Sequence, residues 1–467
     1  MHRMIDISDN NLRALVIEGL SQGGDWCDLY FEETHYHELL LRDSAVATGG
    51  FHIDRGCGIR VLKGDRTGYA YSETLDYQSL LSAAKAASTI ADGASGTTAP
   101  QCVTQVKSPG LYKEDKAWEQ EEASSFIPFL NRLEQAVRSR DSRIEKVIIA
   151  LAYSTSSILM FNSLGEKARD YRPLGSISVS AICRQGERKE IVQISRSFRC
   201  GAEMLTESLI EEIASQSVDK LDDRFAARRP KGGRMSVVMG AGASGILLHE
   251  AMGHAFEADF NRKGQSIFSD KMGQRICRKG INVIDDGTIA ANRGAGNFDD
   301  EGVAAQKTYM VADGVLNSYL HDRISASWYG VAPTGNGRRE SFRYNPIPRM
   351  RCTYMDSGTD GSVQDLIASV EKGVYVDEFS NGQVKIGEGD FTFYVRRGYM
   401  IENGRLSFPI KDVNIIGNGP QALSDIIGVA SDLKIDNGTW TCGKEQSVPV
   451  SCGMPSVLVK KLTVGGE

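Results

Sequence analysis

Two histidines and a glutamate stand close together in the chain, at His249, Glu250 and His254. Imidazole nitrogens bind transition metals, and a carboxylate beside them can take a proton from an attacking water. This is the working set of a zinc hydrolase, but its spacing is a difficulty. The common His-Glu-x-x-His arrangement sets its imidazoles four residues apart, about one helical turn. Here the second histidine comes one residue later. On a regular α-helix, at about 100° per residue, the two rings diverge by roughly 140°. Both then fail to reach one ion at about 2.0 Å. The stretch therefore predicts a departure from α geometry, a π-bulge or an early unwinding, placed at Gly253. On an undistorted helix the same three residues are ordinary hydrogen-bonded polar positions.

A third ligand must come from elsewhere. His321 lies in Tyr319-Leu-His-Asp-Arg, Cys442 in Asp436-Asn-Gly-Thr-Trp-Thr-Cys-Gly-Lys, and Cys452 ten residues further on. A thiolate is a soft ligand that suits zinc better than magnesium or calcium. A buried, inert thiol is the commoner fate of any one cysteine, so the three remain candidates at this point. Gly335-Asn-Gly-Arg-Arg-Glu-Ser reads as a mobile loop. Its Arg338 and Arg339 either bind the substrate backbone or carboxylate or belong to a solvated turn. Glu257 and Asp259 either orient the histidines from behind or lie on a solvated face.

Elements must hold these residues in place. Ser244 is a candidate N-cap, and Leu247, Leu248, Met252 and Phe256 form an apolar face, which predicts a helix from Gly245 to about Phe260. A second helix is expected over Ser362 to Lys372, with strands at residues 235–239, 307–311, 390–395 and 399–402. The first half reads differently. A helix over residues 8–22 is followed by paired strands at 28–33 and 37–42, then by two strands flanking the turn Lys63-Gly-Asp-Arg. A helix over Tyr77 to Ile90 follows. A helical stretch from Trp118 to Arg138, kinked at Pro128, precedes strands at 146–152, 156–161 and 175–182 and a helix from Leu205 to Leu221. Helix, strands, helix thus occurs twice. The Pro and Gly of residues 226–233 break the pattern. The expectation is an α+β protein with an N-terminal domain, 1–229, of two similar modules and a β-rich C-terminal domain, 230–467, carrying the metal-site helix.

Composition narrows the function class. The chain has 467 residues, 41% hydrophobic and 24% charged, as in ordinary globular proteins. A formal charge of −6 gives no drive toward nucleic acid or an anionic membrane. Nine scattered cysteines with no CxxC suit a reducing cytoplasm rather than a disulfide framework. No apolar signal segment and no run of eighteen apolar residues is present, so neither secretion nor a membrane-spanning helix is expected.

Residues 235–467 resemble the TldD proteins of the TldD/PmbA metallopeptidase family. The shared blocks keep their order: Leu248-His-Glu-Ala-Met-Gly-His-Ala-Phe-Glu-Ala-Asp-Phe-Asn-Arg-Lys-Gly, Asp285-Asp-Gly-Thr, Asp299-Asp-Glu-Gly, Pro333-Thr-Gly-Asn-Gly-Arg-Arg-Glu-Ser, Ser431-Asp-Leu-Lys-Ile-Asp-Asn-Gly, Cys442-Gly-Lys and Lys461-Leu-Thr-Val-Gly-Gly. The resemblance implies zinc (Zn2+) held by His249, His254 and Cys442, with Glu250 as general base. It also implies extended peptides as substrates in an enclosed cleft. Either a metal-free PmbA (TldE)-type subunit or a second copy would be the partner. The chain departs from the family where Gln446 follows Glu445 without an intervening glycine, and where Cys452 replaces an aliphatic residue. The rival reading is a regulatory or peptide-binding protein with a structural zinc, since some relatives are associated with DNA gyrase. Structural zinc usually takes four protein ligands, and only three good candidates stand here.

Overall fold

The computed structural model describes residues 5–93, 100, 102–242, 244–385 and 387–466. The protein is α+β. The first half is built on one long antiparallel sheet in the order Arg66–Ser72, Ala45–Lys63, Trp26–Arg42, Ile144–Asn162, Glu166–Gln185, Arg188–Phe198. Two runs of helix, three strands, helix meet at the centre, where Asp28 pairs with Asn162 and Arg42 with Ile148. Helices Asp9–Leu20 and Tyr77–Ser88 bury Leu12, Leu15, Val16, Leu80 and Ala84 against Leu29, Phe31 and Ile59. Helices Ile127–Arg138 and Glu207–Gln216 bury Leu130, Leu133, Val137 and Ile213 against Ile149, Leu151 and Val179.

The strands are longer than the sequence suggests. Residues 28–33 and 37–42 are not a pair but one strand, Trp26–Arg42. The polar run that looked like a turn faces another polar run, and Thr34 Oγ1 donates to Ser156 Oγ at 2.8 Å. Cross-strand hydroxyl pairs of this kind stabilise a sheet. The same ladder fuses 146–152 with 156–161. The hairpin turn falls at Asp43-Ser44, both at positive φ as a type I′ turn requires. Pro128 does not kink a helix. It sits in the first turn of Ile127–Arg138, where its missing N–H removes no bond. The expected helix from Leu205 to Leu221 ends at Gln216, and a short separate helix, Leu221–Ala226, follows Lys220 at φ 54°.

The second half holds two larger sheets. One runs Val315–Leu316, Lys307–Ala312, Val283–Asp286, Cys352–Met355, Ser451–Met454, Lys434–Asp436. The other closes on itself, because Lys372–Val384 pairs both with Gly233–Met239 and with Asp390–Glu402, and Val457–Val464 and Val413–Asn418 complete the ring. The segment from Gly245 to Phe256 lies against both, with Leu247, Leu248, Met252 and Phe256 buried in their shared core. Two short helices went unforeseen, Arg323–Tyr329 and Gly419–Ser424. The first carries readable signals: Asp322 accepts from Ser325 N at 2.8 Å and Gly330 closes the end at φ 65°. Among the described residues no helix is long and apolar enough to cross a membrane.

Candidate metal centre

The segment that starts as α-helix at Gly245–Leu248 does not stay one. Residues His249–Gly253 form a π turn, and His254–Phe256 a 3₁₀ turn. The N–H of His254 donates to the His249 carbonyl, five residues back. An i→i+5 bond adds one residue to the turn, so a five-residue spacing returns to nearly the same side. The departure demanded by the histidine spacing is therefore present. Gly253 has ordinary helical angles, φ −56° and ψ −48°. Its contribution is space, since a Cβ there would lie 2.1 Å from the Met350 sulfur. Ser244 does not cap as expected. Its own backbone is already helical, and its buried Oγ has no partner among the described residues.

The π turn brings both imidazoles to one thiol. Cys442 Sγ lies 3.1 Å from His249 Nε2 and 3.2 Å from His254 Nε2. The ring planes stand 81° apart with centroids 5.3 Å apart. Donor atoms from the three buried residues all lie within 4.8 Å of one another, close enough to share a metal ion. Tetrahedral zinc with bonds of about 2.0 and 2.3 Å sets nitrogen and sulfur roughly 3.6 Å apart, so small outward shifts would admit it. Cys442 sits on Thr441–Lys444, which pairs with Gln446–Pro449 around Glu445 at φ 57°. Burial alone would raise the Cys442 thiol, but His249 and His254 outweigh it and bring it down to about 4. With both imidazoles neutral, the thiolate and two nitrogen lone pairs would form an electron-rich pocket suited to a cation.

A buried shell fixes this cluster. His254 Nδ1 lies 3.0 Å from Glu257 Oε2, which holds the ring with Nε2 toward the sulfur. Burial would raise Glu257, yet Lys444 at 3.1 Å and His254 bring it down to about 2. Lys444 also donates to Asp259 Oδ1 at 2.7 Å. Arg349 donates to the carbonyls of Cys442 and Gln446 at 2.6 and 2.7 Å. Glu250 is less enclosed. Its side chain is 26% exposed, with a carboxylate oxygen 3.9 Å from His254 Nε2.

Comparison with known proteins agrees with the whole chain. Residues 232–466 match the PmbA/TldA metallopeptidase C-terminal domain, residues 27–91 domain 1 and residues 114–224 the central domain of the same family. The Metalloprotease TldD homolog of Haemophilus influenzae is 36% identical over 449 residues, covering 95% of this chain and 93% of its own. The chain belongs to the PmbA/TldD metallopeptidase family. Another Metalloprotease TldD homolog, from Buchnera aphidicola, is also 36% identical, over 98% of this chain and 96% of its own. The structure of TldE from Thermococcus kodakarensis has the same fold, with a TM-score of 0.74 at 17% identity over 98% of this chain and 100% of its own.

Other candidates fall outside the cluster in this PmbA/TldD chain. His321 is buried beside Tyr319 and Tyr329, and burial lowers it to about 4. Cys452 is buried in strand Ser451–Met454. Neither joins the group of His249, His254 and Cys442. The loop of Arg338 and Arg339 is not a solvated turn, for both arginines are buried. Arg338 donates to the carbonyls of Met350 and Pro449. Arg339 donates to the Asp300 carbonyl at 2.9 Å and lies 4.2 Å over the Tyr30 ring. Protein acceptors thus already engage both guanidinium groups. Glu257 matches its expected orienting role, whereas Asp259 serves Lys444. All nine cysteines are free thiols.

Proposed function

We propose that this chain is a zinc-dependent peptidase in which His249, His254 and Cys442 hold the metal and Glu250 is the general base. The observation that carries the reading is the seat of Cys442 Sγ, 3.1 and 3.2 Å from two Nε2 atoms that a π turn aligns. A relative from Saccharolobus solfataricus, 30% identical over 62% of this chain, is named a zinc metalloprotease, which supports the choice of metal. Three protein ligands leave a position open, as catalytic zinc sites do. Zinc, when bound, supplies a Lewis acid that polarises a carbonyl and acidifies water. Glu250 takes the proton of the attacking water and passes it to the leaving amine. Glu257 holds the His254 ring, and Arg349 holds the strand that presents Cys442. Extended peptides are the proposed substrates. A TldE-type subunit is the proposed partner, a second copy of this chain being the alternative.

The test is elemental analysis joined to peptide cleavage. The purified protein should carry about one zinc per chain and cleave an unfolded peptide. A chelator should abolish cleavage, and added zinc should restore it. Cys442→Ala should lose both zinc and activity. Full zinc content in that variant would move the third ligand elsewhere.

A further inference from the structure

Four buried arginines lie near the strand that presents Cys442. Arg199, Arg293, Arg338 and Arg351 are each 7% exposed or less. Among the described residues, none of the four forms an ion pair with a carboxylate. Arg338 and Arg351 donate to backbone carbonyls. Arg199 lies 5.9 Å over the Tyr112 ring, and its Nε has no partner. The acid near Arg199, Asp170, is held by Arg172 at 2.8 Å. Buried charges are normally paired, because leaving water is costly. Arg351 has Asp285, Asp299 and Asp300 near it and Arg338 has Asp300, whereas no acid among the described residues stands close to Arg293, so Arg293 is the guanidinium whose charge points to an anion that arrives from outside.

Arg293 is where this charge reaches open space. It lines a cavity of about 360 Å³ together with His37, His52, Tyr153 and Ser176. Its Nε donates to the Trp440 carbonyl at 2.7 Å, Nη1 to Ser197 and Ser176 at 2.7 and 3.2 Å, and Nη2 to Thr441 Oγ1 at 3.2 Å. All four acceptors are neutral. A guanidinium has five N–H bonds, so one Nη2 proton and the full charge remain. Glu38 is the acid in the lining. It lies along Gly50 and forms no ion pair with Arg293. Two of the four acceptors belong to the residues just before Cys442.

We propose that this cavity is a subsite for a carboxylate of the bound peptide, seated on the remaining N–H of Arg293 between Ser176 and the strand that carries Cys442. The proposal rests on the peptidase reading and adds a substrate class to it. Thr441 adjoins Cys442, so standard bond lengths keep the Arg293 guanidinium within about 12 Å of the Cys442 sulfur. An extended peptide covers about 3.3–3.6 Å per residue. The recognised carboxylate then sits a few residues from the bond cut. A chain terminus and an Asp or Glu side chain offer the same chemistry.

The test reads binding without turnover, by fluorescence anisotropy on the zinc-loaded, full-length Glu250→Gln protein. Three labelled peptides of one sequence are compared: the free acid, its C-terminal amide, and the amide with its internal Glu changed to Gln. Removing the recognised carboxylate should weaken binding about tenfold or more. A loss at the first step names the terminus, and a loss at the second names the side chain. Arg293→Gln should abolish the difference. Ser176→Asp, which keeps the arginine and places an acid against it, should do the same. Equal affinity for all three peptides overturns the subsite, as does a preference that survives in both variants. A protein that prefers the carboxylate but cuts no peptide in its unaltered form sinks the peptidase reading alone. One that cuts peptides without that preference sinks the subsite alone.

Discussion

Two glutamates beside the same histidine have different environments. Glu257 is fully buried, with Lys444 and Arg349 around it, and is committed to holding His254. Glu250 is partly exposed, and no Lys or Arg pairs with it among the described residues. Glu250 is therefore the one to which the proposed mechanism gives the proton transfer. Glu250→Gln should keep zinc at the level of the unaltered protein and lower kcat by about 10²–10⁴. Steady-state kinetics and elemental analysis on one preparation check this, and an unchanged kcat removes Glu250 from the mechanism. The histidines, Glu250 and Cys442 were legible as candidate chemistry in the sequence. Arg349 was not, because it grips the Cys442 carbonyl from 93 residues away and backbone acceptors leave no sequence pattern. The burial of Arg338 and Arg339 was hidden for the same reason. Glycine-flanked arginines look solvated until their distant carbonyl partners are seen.

The π turn is the element on which the site depends. The five-residue spacing announced it, but not why Gly253 stands there. Its backbone angles suit any residue, so a dihedral argument misses the point. Met350 occupies the space of the absent side chain. Gly253→Ala should therefore lower stability by about 1–3 kcal/mol through overpacking. It should also weaken zinc binding by displacing His254. Thermal melts and competition with a chromogenic chelator measure the two effects. In the background of Met350→Ala the cost of Gly253→Ala should shrink, and simple additivity in the double variant would count against this contact. Strand length was the other element hard to read. Serines and threonines signal loops when read singly, yet Thr34 and Ser156 face each other and continue two strands.

Across the whole molecule, residues 298–343 of the second half are tied into the first sheet. Arg60, fully buried, lies 2.6 Å from Asp28 and 2.7 Å from Glu301. Arg172 joins Asp170 at 2.8 Å to Asp300 at 2.6 Å. The Phe342 ring fills the space where a side chain on Gly56 would be. Arg60→Met should strand two buried carboxylates and destabilise by about 3–5 kcal/mol, read by urea unfolding. Glu32 accepts from the Phe342 N–H at 2.8 Å, and burial raises it from 4.5 to about 7. The folded chain then keeps a proton that the unfolded chain loses between pH 4.5 and 7. Stability should fall as pH rises through that window, by on the order of 3 kcal/mol. Glu32→Gln should flatten the fall and raise Tm at pH 8 but not at pH 4.5. The ties between the halves, Arg60 to Glu301, Arg172 to Asp300 and Glu32 to Phe342, were not visible from sequence, since each joins residues more than a hundred positions apart. The cluster of His249, His254 and Cys442 spans a similar gap, with His249 and Cys442 separated by 193 residues. At about 5–20 residues per second, a ribosome needs roughly 10–40 s to pass from the imidazoles to the thiol. A chain still being made carries two of the three donors for that interval.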